Sequence, residues 1–373
     1  MSIIPKRIGI LTGGGDCPGL NAVIRAVVKS ADKHGIETIG ILDGYYGLVK
    51  NMTKPIHIDH VGGIQVLGGT ILGSSNKDNP FQFVEKGDDQ KVRISDQSDQ
   101  AVQTCKSLGL EALIVLGGDG TMTVADQLSE KGLKIIGVPK TIDNDLVGTY
   151  TTFGFNTAVE IAAESIDRLH TTAASHGRII VVEVMGRTAG WIALNCGVAS
   201  GAHAILVPEI PFDIENLAAL VQLRKSKGRR STIIVVGEGA KTRGGEVVVS
   251  RIVENSPEAV RLGGIGKWTA DTLEAITGIE ARSVVLGHVV RGGSPTAHDR
   301  NLATRLGVAA VEMLLEGKFG RMVAVSHGGL SSVALSEVGG KVRTIPSDDS
   351  LLSAARSLGI SFGDNDHGVI NPD

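Results

Sequence analysis

Short, unbroken apolar runs recur along the chain and alternate with amphipathic stretches. The runs Ile8–Leu11, Thr38–Leu42, Ala112–Leu116, Ile135–Val138, Ile179–Val184, Ala204–Val207, Ile233–Val236, Ser283–Leu286 and Met322–Val325 predict strands. Several hold no polar position, as expected when helices cover both faces of a sheet. Between them, Leu20, Val23, Ile24, Val27, Val28 and Ala31 recur at three and four residues. Ala158, Ile161, Ala162, Ser165, Ile166 and Leu169 do the same, as do Leu302, Leu306, Ala309, Ala310 and Met313. Such stripes predict helices with one core-facing side. Their alternation with strands predicts a doubly wound α/β protein with mainly parallel sheets.

The 373 residues exceed one typical core, so two domains are expected. Lys86–Gln100 reads as a surface excursion, Lys225–Arg230 as a basic loop before a strand, and Glu254–Lys267 as a loop or insertion. From Ser347 the pattern is less regular. Its close, Asp364-Asn365-Asp366, reads as a solvated tail more readily than as a metal site. No internal repeat is visible.

Composition narrows the function. Aromatics at 3% give few stacking platforms for single-stranded nucleic acid, and a net charge of −3 gives no polyanion-attracting field. No nucleic-acid partner is expected. The 50 glycines gather at strand ends, where tight turns and close backbone approach to a ligand need them. Cys17, Cys105 and Cys196 are scattered without CxxC or zinc spacing, which points to a reducing compartment. With no leader-like start and no membrane-length apolar run, the expectation is a cytoplasmic protein with no membrane partner.

The candidate chemistry lies just past strand ends, where open α/β sheets bind ligands. After Ile135–Val138 comes Pro139-Lys140-Thr141-Ile142-Asp143-Asn144-Asp145. One acid can take a proton, the other can help place a metal, and Lys140 can meet a phosphoryl oxygen. An Asx-rich turn is the plain alternative. Thr12-Gly13-Gly14-Gly15-Asp16-Cys17-Pro18-Gly19-Leu20-Asn21 follows the first strand and opens a helix. It reads as an anion-binding turn or simply a tight one. It is neither a P-loop nor a dinucleotide fingerprint. Gly117-Gly118-Asp119-Gly120-Thr121 repeats the arrangement with an acid suited to Mg²⁺ and a hydroxyl. Met185-Gly186-Arg187, Gly237-Glu238-Gly239 and Leu286-Gly287-His288-Val289-Val290-Arg291-Gly292-Gly293-Ser294-Pro295 follow three further strands. With Arg178 and Arg282 they supply guanidinium forks for a phosphate and a carboxylate for hydroxyls. Any one of these arginines alone reads more readily as a surface ion pair.

The ordered set GGGDCPGLN, GGDGT, PKTIDND, MGR and LGHVVRGGSP resembles the 6-phosphofructokinase family from Ile8 to about Val325. Diacylglycerol kinases and NAD kinases share a GGDGT-like run but lack the TIDND and RGGSP partners. The resemblance implies two doubly wound domains with the active site in the cleft between them. The expected donor domain is 1–154 plus about 290–340. The expected sugar-phosphate domain is about 155–289 plus 341–373.

It also implies transfer of a phosphoryl group from Mg-ATP to the 1-hydroxyl of fructose 6-phosphate. Asp143 would be the base, Thr141 would hydrogen-bond the moving phosphoryl group, and Asp145 would support the site near the metal. Gly15, Gly118, Asp119, Gly120 and Thr121 would form the ATP phosphate loops, with Asp119 near Mg²⁺. Met185, Gly186, Arg187, Glu238, Arg282, His288 and Arg291 would bind the sugar phosphate, Arg187 also acting in catalysis. Arg178 and Arg282 match positions that reach across from a neighbouring subunit, which implies a homodimer or homotetramer. Gly120 with Lys140 resembles a mixed-donor branch, in which glycine at this position leaves room for ATP. The alternatives are a pyrophosphate-dependent enzyme and a catalytically weak regulatory paralogue. Two departures stand out. Asn76 replaces a usual arginine in the loop Gly73–Phe81, leaving Lys77 as the nearest cation. Lys29 replaces another arginine beside Arg25 at a position that binds regulatory nucleotide in bacterial members.

Overall fold

The computed structural model describes residues 4–86, 92–252 and 260–364. In chain order the strands begin β1 (Arg7–Thr12), β2 (Glu37–Ile41), β3 (Thr53–Ile56), β4 (Phe83–Lys86), β5 (Val92–Ser95), β6 (Ala112–Gly117), β7 (Ile135–Thr141) and β8 (Phe153–Gly154). They continue with β9 (Ile179–Val184), β10 (Ala204–Leu206), β11 (Thr232–Gly237), β12 (Val249–Ile252), β13 (Val260–Leu262), β14 (Ala281–Val285), β15 (Arg321–Ser326) and β16 (Gly329–Ala334).

Two sheets carry the molecule. The larger is eight-stranded with order β16-β15-β7-β6-β1-β2-β3, β8 lying beside β7. Its inner pairs are parallel, while β2–β3 and β15–β16 are antiparallel at the two edges. The smaller is four-stranded, order β10-β11-β9-β14, and all parallel. β6, β7, β9 and β11 are buried along their whole length, the physical content of their uninterrupted apolar runs. The larger sheet draws on the chain up to Gly154 and again from Arg321 to Ala334. The smaller spans Ile179–Val285, and Ser361 returns to bridge Ala204 at its edge.

The helices Leu20–Lys33 and Ala297–Leu315 clasp each other across the larger sheet. They approach so closely that a Cβ on Gly307 would lie 2.8 Å from that of Ala26. In the larger sheet the chain leaves β1 in one direction and returns through β6 in the other. A crevice therefore opens at the carboxyl ends of β1 and β6, the usual ligand position in such sheets.

Several expectations need amending. β7 runs on through Pro139, Lys140 and Thr141, so the turn begins only at Ile142. The polar stretch Lys86–Gln100 contains β5, which pairs with β4, and the start of the helix Ser98–Ser107. Residues 87–91 lie outside the described residues. The Glu254–Lys267 segment includes β13 and the start of the helix Ile265–Thr277, while 254–259 also lie outside. Beyond Ser347 the chain is more regular than expected. Asp349 caps the helix Ser350–Ser357, and Asp364 pairs with Arg356. The rest of the expected acidic tail lies outside the described residues. Among those described, no helix is long and apolar enough to cross a membrane.

Candidate active site

A cleft of about 1090 Å³ lies between the carboxyl ends of the two sheets. One wall is made by the turns after β1 and β6. Gly13 N donates to Leu116 O at 2.8 Å, locking the two turns together. The helix Asp119–Glu130 starts at Gly118, which offers no side-chain cap, so its first-turn N–H groups can meet an anion. Most of the surrounding glycines admit protein atoms. A Cβ on Gly117 would lie 2.2 Å from Thr121 Cβ, and one on Gly15 would lie 1.9 Å from Arg291 Nη1. Gly120 is different: a Cβ there meets nothing within 4 Å and points into open cleft. The loop holding Asn76 is tied to the turn after β1. Gly14 N donates to Ser75 O at 3.0 Å, and the Ser74 hydroxyl donates to Gly14 O. Asn76 and Asp78 line the cleft, whereas Lys77 is exposed and outside the lining.

The acid turn is built by its own side chains. Thr141 Oγ1 accepts Asp143 N at 3.0 Å. Asn144 sits in the left-handed region at φ 53°, and its Oδ1 accepts Thr152 N at 3.1 Å. Thr152 Oγ1 in turn donates to Thr141 O at 2.7 Å. These bonds aim both carboxylates into the cleft. Burial pushes the Asp143 carboxyl up, against the pull of Arg291 and Lys140. Its Oδ1 is buried and has no partner. Asp145 is pushed up to about 7, first by burial, then by the charges of Asp143 and Asp119. Lys140 is only 5% exposed and donates to Gly15 O at 2.6 Å. Burial pulls it below the usual lysine range.

The opposite wall comes from the smaller sheet. Gly186 (φ 142°) and Arg187 (φ 50°) form a left-handed bend after β9. Glu238, just past β11, holds it by accepting Arg187 N at 3.0 Å. Burial first, then nearby acids, raises Glu238 to about 7. His288 and Arg291 lie on the short turn Gly287–Arg291 after β14. Arg291 Nη1 donates to Asp16 O at 3.2 Å, and its buried Nε has no partner. Met185, Arg187, Glu238, His288 and Arg291 all line the cleft; Gly186 shapes the bend without lining it.

Asp119, Asp143 and Asp145 therefore face one buried space with an unpartnered carboxylate oxygen among them. That donor set suits a hard divalent cation. No group of three or more His, Cys, Asp or Glu among the described residues forms a metal cage. A divalent ion here would be bound by one or two of these carboxylates plus substrate phosphates and water.

Arg178 and Arg282 are not brought to the cleft. Arg178 pairs with Glu280 at 2.6 Å. Arg282, on the edge strand β14, pairs with Glu280 and lines a separate hollow of about 510 Å³. Arg25 and Lys29 sit on the helix Leu20–Lys33, away from the cleft lining. Conversely, the structure adds Asp16, Tyr45, Thr70, Ser74, Ser75 and Asp78 to the lining. Asp16, Ser74, Ser75 and Asp78 fall inside motifs already singled out. Tyr45 and Thr70 carry no sequence signal, although the Tyr45 hydroxyl donates to Thr121 O at 2.9 Å.

Open phosphate-accepting turns, paired buried acids and a cationic wall suit a phosphotransferase acting on a small phosphorylated substrate. A family model described as phosphofructokinase matches residues 7–314. The chain belongs to the phosphofructokinase family. It is 53% identical to the ATP-dependent 6-phosphofructokinase 2 of Clostridium perfringens, over 96% of this chain and 99% of that protein. It is 50% identical to the pyrophosphate–fructose 6-phosphate 1-phosphotransferase of Amycolatopsis methanolica, over 91% and 96%. Among solved structures, Pichia pastoris phosphofructokinase superposes with a TM-score of 0.77 at 33% identity. That match covers 90% of this chain but 35% of the longer yeast chain.

The crowded acids carry a pH signature. The folded state keeps a proton on Asp145 up to about pH 7, whereas an unfolded aspartate releases it near the ordinary value of 3.8. Between those values the native state binds more protons, so this group costs stability as pH rises and the full cost applies above about 7. Asp145→Asn should therefore raise the unliganded unfolding midpoint by a few degrees at pH 8 and change it little at pH 4. A lowered midpoint at pH 8 would overturn this assignment.

Proposed function

We propose that this protein transfers the terminal phosphoryl group of ATP to the 1-hydroxyl of fructose 6-phosphate, producing fructose 1,6-bisphosphate and ADP in glycolysis. The observation that carries this is the Asp143–Asp145 turn, which faces a glycine-lined donor side and a cationic acceptor side within one cleft. Asp143 accepts the hydroxyl proton; burial lifts its basicity and leaves Oδ1 free to receive it. Thr141 hydrogen-bonds the moving phosphoryl group, and Lys140 and Arg291 offset its developing charge. Met185, Gly186, Arg187, Glu238 and His288 position the sugar phosphate, with Arg187 also beside the transferring group. Gly15 and Gly118–Thr121 accommodate the donor phosphates, with Asn76 at the edge. Asp119, aided by Asp145, would hold Mg²⁺, which when bound neutralises charge on the donor phosphates. The larger sheet serves the donor and the smaller serves the sugar phosphate. Three buried free thiols agree with a cytoplasmic setting.

The donor is argued from Gly120, whose exposed, unobstructed position leaves space beside the phosphates for a nucleotide. Self-association is argued from Arg178 and Arg282. Both lie outside the cleft beside Glu280, and the edge strand β14 that carries Arg282 exposes Val285 (59%) and, just beyond it, Val289 (65%). In a partner's cleft the two guanidinium groups would complete sugar-phosphate binding.

Asp143→Asn should leave fructose 6-phosphate binding nearly intact and lower kcat by ~10²–10⁴-fold; near-normal turnover would remove it as the base. Coupled assays should show turnover with Mg-ATP and little with pyrophosphate. Gly120→Asp fits sterically in the free protein, so it should fold normally while raising the KM for ATP, through added bulk and repulsion. A preference for pyrophosphate in the wild type, or unchanged ATP kinetics in the variant, refutes the donor reading. Mixing inactive Asp143→Asn with Arg178→Ala subunits should regenerate activity at hybrid sites. No recovery after demonstrated subunit exchange would exclude a shared site.

A further inference from the structure

Residues 341–345 run behind the acid turn, from the Leu146 side to Glu209. Val342 bridges Leu146 in antiparallel fashion. Arg343 N donates to Asp145 O at 2.6 Å, and its Nη1 donates to Asn144 O at 2.9 Å. The same guanidinium lies 4.2 Å from the centre of the Trp191 ring, whose Nε1 donates to Arg343 O at 2.9 Å. Two residues on, Ile345 N donates to Glu209 Oε1 at 2.9 Å. That carboxylate oxygen also takes Gly190 N at 3.0 Å. Gly190 and Trp191 end the loop that begins with the sugar-side Met185.

Arg343 itself is absent from the cleft lining. What it grips is the one turn that most needs holding. Two carboxylates two residues apart repel each other there. Asn144 between them occupies a backbone region that non-glycine residues seldom adopt. Opening the turn would relieve both. A guanidinium fork on one side and a flat indole on the other suit arginine in particular, since lysine offers neither the fork nor the stack.

We propose that Arg343 is a positioning residue: it clamps the Asp143–Asp145 turn against Trp191 and so fixes the two acids relative to the sugar-binding loop. The proposal rests on the phosphotransfer assignment above only for its kinetic readout. Because Arg343 grips the turn through backbone carbonyls and is not itself part of the cleft lining, its loss should fall on turnover more than on substrate binding.

The test compares full-length wild type, Arg343→Ala and Arg343→Lys. For Arg343→Ala, kcat should fall by ~10–100-fold, the scale expected of a misplacement of about 1 Å. The KM values for fructose 6-phosphate and ATP should stay within about threefold. Added methylguanidinium should restore part of kcat to Arg343→Ala. Arg343→Lys should remain at least about fivefold impaired despite its charge. Hydrogen exchange gives a readout independent of turnover: amide protection at Asp143 and Thr152 should drop at least about tenfold in Arg343→Ala. If that variant does not fold, Trp191→Phe keeps a ring but deletes the indole N–H bond. It should show the same split with a kcat loss of about 3–10-fold. Unchanged exchange, kcat within twofold of wild type, or a loss confined to KM overturns the clamp. A wild type inactive with ATP would refute the assigned reaction, while the exchange comparison would still decide the clamp.

Discussion

Keeping two carboxylates apart in a half-buried turn is the constraint on which this site depends. Asp143 and Asp145 lie in a buried cleft with Asp119 near enough to raise Asp145 further. A buried acceptor left without a partner costs ~1–3 kcal/mol. Asp143 Oδ1 is such an atom in the unliganded protein. The surroundings answer that cost locally. Thr141, Asn144 and Thr152 tie the turn from within, and the peptide of Arg343 ties it from behind. The site is thus held in a state that substrates and their counterions would relax.

The cations show the complementary logic. Lys140 and Arg291 enter from different sheets yet meet at the same glycine turn, donating to Gly15 O and Asp16 O. No carboxylate ion pair among the described residues quenches either one, so their charge stays available to a polyanion. Glycine at position 15 makes room for this meeting, because a methyl group there would displace the Arg291 guanidinium.

Much of this was legible in the sequence because burial on both faces writes itself as an apolar run. β6, β7, β9 and β11 were all recognisable in that way. The half-exposed edges were not. β3 carries Pro55 and two exposed positions, as an edge strand tolerates, and β16 has no fully buried residue. At the site, the strand-end acids and glycines stood out because turn chemistry and ligand chemistry favour the same residues. Lys140 could be noticed but not its burial, since only the fold sets its ammonium deep in the cleft wall. Tyr45 and Arg343 had no signal at all. Each acts through a backbone carbonyl distant in sequence, Thr121 and Asn144 respectively, and such contacts leave no spacing to read.

The interrupted path of the larger sheet also bears on how the molecule emerges during synthesis. β7 pairs on its outer side with β15, at Ile136–Arg321 and Gly137–Met322. Roughly 180 residues separate the end of β7 from β15, which at common ribosomal rates is a delay of about 10–40 s. Throughout that interval β8 can cover Lys140 and Thr141, but the Ile136–Gly137 part of the strand presents an unpaired hydrogen-bonding edge. The entire smaller sheet must be made before the edge is closed. An exposed parallel edge of this kind is a template for wrong pairing. Vectorial synthesis therefore leaves the outer pairing of the strand that leads into the acid turn among the last contacts of the larger sheet to form.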